Sequence, residues 1–268
     1  MKPFHNAKKS LGQNFLIDKN IVKKIVKIGN INNKNIIIEI GPGTGNLTTD
    51  ILRMNPKKIY AIEKDQKLTN FLEELFFKFE NIKIINDDIL TYIKKTNFEE
   101  GAIIFGNLPY NIATKILTTL ALLKKWPPSY NKLIFMFQKE VANRIIANKK
   151  TKEFGRLSIL CSWRFDIKKH FDVSKNCFSP KPKVDSTVLS FTPKKNSNFQ
   201  LRNPKNLEIV TRVLFSNRRK MINKSFSKIF KNYTYVAKEL NLDLNKRPEE
   251  IDSEMFFKIA MMYEKLFC

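Results

Sequence analysis

Ile36-Ile37-Ile38-Glu39-Ile40-Gly41-Pro42-Gly43-Thr44-Gly45 is the stretch on which the fold turns. Its first half is a short continuous apolar run broken by one acid, the pattern of a strand buried on both faces. Its second half is a turn with glycine at every other position. Glycine lets the backbone bend sharply and approach a ligand with no Cβ in the way. A helix begins directly after this turn. Strand, glycine turn and helix together form the crevice in which open α/β sheets bind nucleotide-like ligands.

Four further strands follow at similar spacing. Lys58-Ile59-Tyr60-Ala61-Ile62, Ile82-Lys83-Ile84-Ile85, Ala102-Ile103-Ile104-Phe105 and Leu133-Ile134-Phe135-Met136-Phe137 are all short β-rich runs. Helical stretches lie between them, near 45–54, 66–79 and 111–124. Strands alternating with helices predict βαβ units and a mostly parallel sheet. Two later runs, near 157–166 and 184–192, read as strands that pair antiparallel at one edge. After the polar segment Pro193-Lys194-Lys195-Asn196-Ser197-Asn198 the strand signal fades and short helices are expected. Two domains are therefore expected: 1–195, an α/β sheet domain of Rossmann-like type, and 196–268, a small all-α domain.

The ligand of the glycine turn follows from its spacing. A dinucleotide fingerprint requires a third glycine where Asn46 stands. Gly41, Gly43 and Gly45 preceded by Glu39 fit an S-adenosylmethionine (SAM) site better. Glu63, followed by Lys64, ends the second strand, where a carboxylate accepts both ribose hydroxyls. Asp88 follows the third strand and is placed to meet the adenine amine. Carboxylates at consecutive strand ends distinguish this turn from one that binds nothing.

The fourth strand runs into Gly106-Asn107-Leu108-Pro109-Tyr110. An amide, then proline, then an aromatic suits methylation of an amine on a base. Such an amine is a poor nucleophile because its lone pair is delocalised into the ring. The Asn107 side-chain oxygen and the Leu108 carbonyl can each accept one N–H and so aim the lone pair at the methyl group. Pro109 constrains the turn. Tyr110 offers a stacking face worth about 1–3 kcal/mol, which offsets the few kcal/mol lost when a base leaves its stack. A ring-carbon methylase would instead need a nucleophilic Cys beside Pro, and none of Cys161, Cys177 and Cys268 follows one. These residues leave open whether the base is adenine or cytosine, and whether it sits in RNA or DNA.

Composition narrows the partner. The 268 residues carry 49 Lys and Arg against 25 Asp and Glu, a net charge of +24. A polyanion such as RNA or DNA fits this balance, although a Lys-, Asn- and Ile-rich composition accounts for part of it. From Lys194 onward there are 16 basic and 8 acidic residues, so the excess is spread along the chain. Three widely spaced Cys and two His suggest neither a disulfide framework nor a metal site. No apolar run reaches the ~20 residues that span a bilayer, and Met1-Lys2-Pro3-Phe4-His5 has no signal-peptide character. A cytosolic protein without membrane or metal partners is expected.

Several motifs, in order, carry a specific resemblance. Lys9-Ser10-Leu11-Gly12-Gln13-Asn14-Phe15-Leu16, Asn107-Leu108-Pro109-Tyr110, Gln138-Lys139-Glu140-Val141, Phe154-Gly155-Arg156-Leu157-Ser158, Phe178-Ser179-Pro180-Lys181-Pro182-Lys183-Val184-Asp185-Ser186 and Asn217-Arg218-Arg219-Lys220 resemble the ribosomal RNA adenine N6-dimethyltransferases. The resemblance runs from about Lys8 to the C-terminus. It implies a monomeric, SAM-dependent enzyme that dimethylates two neighbouring adenosines near the 3′ end of small-subunit (16S) rRNA, within a pre-ribosomal small subunit and with a role in its biogenesis. It implies that Asn14, Leu16, Gly41, Glu63, Asp88 and Asn107 contact SAM, and that Tyr110 and Phe178 sandwich the base. Arg144, Arg218, Arg219 and Lys220 form the implied RNA-binding set. Arg212, Lys224 and Lys228 extend it at helix-like spacing, a pattern that a solvated face also explains. The family usually has Gly where Asp87 stands. A sister enzyme acting on large-subunit rRNA usually has Ile where Leu108 stands. A non-catalytic nucleic-acid-binding factor of this fold would be free to lose Glu39, Glu63, Asp88, Asn107 and Tyr110, all of which are intact.

Overall fold

The computed structural model describes residues 12–195 and 199–267. Lys9, Ser10 and Leu11 of the first motif, Asn196 to Asn198 of the polar segment, and Cys268 lie outside the described residues. The chain divides into two compact units. The first takes the chain up to Leu117 together with Pro128–Ala142 and Ile167–Pro193. The second takes Thr118–Pro127, Asn143–Asp166 and the chain from Lys194 onward.

Nine strands lie among the described residues: β1 (Phe15–Leu16), β2 (Ile36–Ile40), β3 (Lys58–Glu63), β4 (Ile82–Asn86), β5 (Ile103–Gly106), β6 (Lys132–Gln138), β7 (Phe165–Val173), β8 (Phe178–Ser179) and β9 (Ser186–Pro193). Seven form one sheet in the order β4-β3-β2-β5-β6-β9-β7. The first five run parallel, and β9 pairs antiparallel with β6. β2 sits between β3 and β5, which pair with both its edges, and Ile37, Ile38 and Ile40 on its two faces are at most 2% exposed. β1 and β8 form a separate two-stranded antiparallel pair.

Helices α1 (Lys19–Gly29), α2 (Asn46–Leu52), α3 (Gln66–Phe76), α4 (Ile89–Lys95), α5 (Tyr110–Ala121) and α6 (Lys139–Ile145) alternate with the parallel strands. In α1, Val22, Ile25, Val26 and Gly29 share the buried face while Lys19, Lys23 and Lys27 face solvent. Asp18 caps its N-terminus by accepting the N–H groups of Asn20 and Ile21. The strands starting at 36, 58, 82, 103 and 132 lie where the apolar runs place them.

Two expectations are corrected. Residues 157–166 are not a strand. Arg156–Arg164 is helix α7, and the chain turns into β7 only at Phe165. Gly155 donates its N–H to the Ser158 hydroxyl, which returns a bond to the Gly155 carbonyl, so this first turn is satisfied locally. An apolar run buried nearly all round has no periodicity to separate helix from strand. β7, which follows α7, is the edge strand, and its neighbour in the sheet is β9.

The second unit is also larger than the expected 196–268. Phe154, Ile159, Leu160 and Trp163 from the α7 region bury in one cluster with residues of α8 (Lys205–Leu214), α9 (Asn223–Ser227), α10 (Tyr233–Glu239) and α11 (Ser253–Phe267). A single cut near residue 195 would strand those side chains away from their partners. Among the described residues, no helix is long and apolar enough to cross a membrane.

Candidate active site

The C-terminal ends of β2, β3, β4 and β5 border one cavity, entirely within the first unit. It is lined by Gly12 to Leu16, Glu39, Gly41 to Thr44, Asn46, Glu63, Lys64, Asp88, Leu90 and Asn107 to Ile112, among others. The residues assigned to the cofactor from sequence therefore converge here, except that Gly45 lies just outside the lining, packed against the Phe76 ring.

The turn holds its shape through backbone torsions that favour glycine. Gly41 and Gly43 have φ of +66° and +58°. A Cβ on Gly43 would stand 2.8 Å from the Phe15 ring, so the turn and the N-terminal arm pack without a gap. A Cβ on Gly41 would meet nothing within 4 Å. The space beside Gly41 is open to the cavity.

Three carboxylates occupy distinct environments. Glu39 is 1% exposed, and its Oε2 has no hydrogen-bond partner. Burial raises its pKa to about 7, against the nearby Thr48 hydroxyl and reinforced by the charge of Glu63. Glu63 accepts the backbone N–H groups of Lys64 and Asp65 on one oxygen and that of Gly43 on the other. Burial pushes its pKa up and these three bonds pull it back. A carboxylate has about four lone-pair positions, so Glu63 keeps acceptor capacity toward the cavity. Asp88 caps α4 through Leu90 N–H and pairs with the Lys64 ammonium at 2.7 Å, which holds its pKa below the usual range. The Asp87 carboxylate accepts the Asp88 N–H and points into the loop's own backbone.

The reactive segment opens α5. The Pro109 carbonyl accepts the N–H groups of Ile112 and Ala113. Leu108 is buried against Gly106, where a Cβ would stand 2.5 Å from its Cδ2. The Asn107 amide nitrogen donates to the Asn14 carbonyl at 3.0 Å. The Tyr110 phenol bonds the Ser186 hydroxyl at 2.6 Å. Burial raises the Tyr110 pKa, opposed by Ser186, so the phenol stays neutral.

Phe178 is not brought to the cavity. Its side chain is 3% exposed within the cluster that holds Leu16, Val22 and Ile25, because β8 pairs with β1. The aromatic face expected from it is not presented. Sequence reasoning missed Asn46 and Ser186. Asn46 donates to the Leu16 carbonyl at 2.7 Å, whereas its local sequence signals only the break in the dinucleotide fingerprint. Ser186 lies 76 residues from Tyr110, with no local signal for the pairing.

Arg144, Arg219 and Lys220 lie in the second unit and are exposed. Arg218 is pinned to Glu249 at 2.7 Å and to the Thr151 carbonyl. The basic run 212–228 does not share one helix. α8 ends at Leu214 and α9 starts at Asn223, so the helix-like spacing is not realised. Among the described residues no group of His, Cys, Asp and Glu is arranged to hold a metal. Burial raises the thiol pKa of Cys161 and of Cys177 above the usual value, which leaves neither an activated nucleophile.

The residues present fit SAM. The unpartnered Glu39 oxygen suits an ammonium group, the remaining acceptor position of Glu63 suits a ribose hydroxyl, and the open space at Gly41 suits close approach. Comparison with known proteins agrees. The family described as ribosomal RNA adenine dimethylase matches residues 4–265. Ribosomal RNA small subunit methyltransferase A of Pelagibacter ubique is 50% identical over 98% of this chain and 99% of its own. That of Rhizobium etli is 38% identical over 95% and 92%. A dimethyladenosine transferase from Plasmodium falciparum superposes with TM-score 0.77 at 26% identity, covering 94% of this chain and 98% of its own. The 23S rRNA methyltransferase ErmE shares the fold, with TM-score 0.67 at 19% identity. The family match over residues 4–265, and relatives matched from end to end, place this chain in the ribosomal RNA adenine dimethylase family, as a SAM-dependent rRNA adenine methyltransferase.

Proposed function

We propose that the chain dimethylates the N6 amines of two adjacent adenosines near the 3′ end of small-subunit (16S) rRNA. Its substrate is a pre-ribosomal small subunit, and it acts as a cytoplasmic monomer with a part in small-subunit biogenesis. One observation carries the reading: Asn107, Leu108, Pro109 and Tyr110 line the same cavity as Gly41, Gly43, Glu63 and Asp88. The names of the relatives at 50% and 38% identity support the choice of subunit.

SAM, when bound, supplies a methyl group on a positively charged sulfur, an electrophile strong enough that no strong base is needed. The chain's own contribution is placement. Asn107 has its amide nitrogen committed to the Asn14 carbonyl, so its side-chain oxygen is the end left to accept an N–H of the target amine. The Leu108 carbonyl accepts the other. Two acceptors hold the amine pyramidal, with its lone pair directed at the methyl carbon. The methylated ammonium then loses its proton to solvent. Tyr110 stacks on the base, and its tether to Ser186 keeps the ring from turning away. Arg219, Lys220 and Arg144, with Arg218 steadied by Glu249, hold phosphates in the second unit.

Small subunits lacking the modification, incubated with labelled SAM, should yield N6,N6-dimethyladenosine at two neighbouring positions after nuclease digestion. Label confined to large-subunit RNA, or only a monomethyl product, would overturn the reading.

A further inference from the structure

Where α1, β6 and β7 meet in the first unit, cations gather with no acid to match them. α1 carries Lys19, Lys23, Lys24 and Lys27 and no acidic residue. The Lys24 ammonium lies over the Phe171 ring of β7, 6.0 Å from its centre. Lys132, half-buried at the start of β6, directs its ammonium to the Ile28 carbonyl near the end of α1, 3.5 Å away. Lys168 is exposed on β7. Beside it His170 bonds the Ser190 hydroxyl of β9 at 2.8 Å. Burial lowers the His170 pKa, and the charges of Lys168 and Lys132 lower it further. The imidazole thus senses a positive potential that no carboxylate offsets. Lys169, the next residue along, shows the contrast. Asp172 takes the Lys139 ammonium at 2.7 Å and that of Lys169 at 3.0 Å. Among the described residues, Lys24, Lys132 and Lys168 have no such acid. Lysines on an edge strand also block pairing with another sheet, but that role calls for neither Lys24 on a helix nor Lys132 on an inner strand.

We propose that Lys24, Lys132 and Lys168 form a phosphate-binding site for rRNA on the first unit, separate from the cofactor cavity. None of the three lines that cavity. Each comes from a different element, so the fold sets their spacing before RNA arrives. Like charges held together cost free energy, and a phosphate seated among them recovers it. RNA is favoured over an acidic protein because the substrate is rRNA, which carries a charge at every nucleotide. The site grips the backbone and reads no base, so it fixes where the RNA lies and not which residue is methylated. It adds a phosphate contact on the unit that holds the cavity to those assigned to the second unit. The inference rests on the reading that small subunits are the substrate.

The test is filter binding of unmodified small subunits across a salt series, comparing wild type, Lys168→Ala, Lys168→Arg and Lys132→Met, with melting temperatures of the free proteins alongside. Lys168→Ala and Lys132→Met should each weaken binding by about threefold or more and lower the slope of log affinity against log salt by about one. Lys168→Arg keeps the charge and should restore both. Lys168→Ala should melt no lower than wild type, because it removes a charge that its neighbours repel. Should Lys132→Met fail to fold, the two variants at exposed Lys168 decide. Unchanged affinity and slope in Lys168→Ala overturn the inference. So does Lys168→Arg as weak as Lys168→Ala, because charge would then not be what binds, and so does a loss of binding that tracks a fall in melting temperature. A photoreactive label on Lys168→Cys should crosslink to rRNA beyond the background from wild type labelled on its own cysteines. Crosslinks confined to ribosomal proteins overturn the choice of RNA. Wild type that binds no small subunits overturns the reading of the substrate, and the inference with it.

Discussion

Glu39 brings a carboxyl into the middle of the sheet with one oxygen unpartnered, and this has consequences for pH. The unfolded chain releases that proton near 4.5, the folded one near 7. Between those values the folded state holds the extra proton, so stability from this group is full below about 4.5 and falls as pH rises to about 7. Glu39→Gln should remove the fall: the melting temperature of cofactor-free variant minus wild type should grow across that window. A difference independent of pH would contradict the assignment. Asn107 makes a different kind of contribution, because it acts on the amine and not on phosphates. Asn107→Ala should lower turnover by roughly 10²–10³, the usual loss for one placed transition-state contact, while affinity for RNA stays near that of wild type. Single-turnover kinetics with enzyme in excess over small subunits separate the two.

In the turn between β2 and α2, neighbouring glycines differ in what they protect. Gly43 faces the arm, and Gly41 faces the cavity. Gly43→Ala combines a left-handed φ with a contact at 2.8 Å and should lose about 1–3 kcal/mol in urea unfolding. Gly41→Ala carries the φ strain without the clash, so its stability loss should be the smaller. Its methyl group enters the ligand's space, so SAM affinity should drop sharply. Equal stability losses, or unchanged SAM binding in Gly41→Ala, would show that the turn does not divide its roles this way.

The net charge of +24 belongs to the molecule as a whole. Each phosphate contact releases counterions, so RNA affinity should fall steeply with salt. Arg219→Ala and Lys220→Ala should each reduce the slope of log affinity against log salt by about one. Turnover at saturating RNA should be unchanged, because neither residue lies in the unit that holds the cavity. An unchanged slope would remove these residues from the phosphate contacts.

The sequence by itself determined the parallel strands, the glycine turn, the acids at Glu39, Glu63 and Asp88, and the Asn107–Tyr110 segment. Each is a local pattern: a strand's burial on both faces writes itself as an apolar run, and a turn that needs positive φ writes itself as glycine. Tertiary structure alone decided the rest. Whether 156–164 is helix or strand depended on which neighbours bury it, since an all-round apolar run has no period of its own. Phe178 went into the core because β8 meets β1 across more than 160 residues, and Ser186 reached Tyr110 from the far strand β9. Contacts between residues so distant in sequence are set by how the sheet closes, a property that no local window of residues encodes.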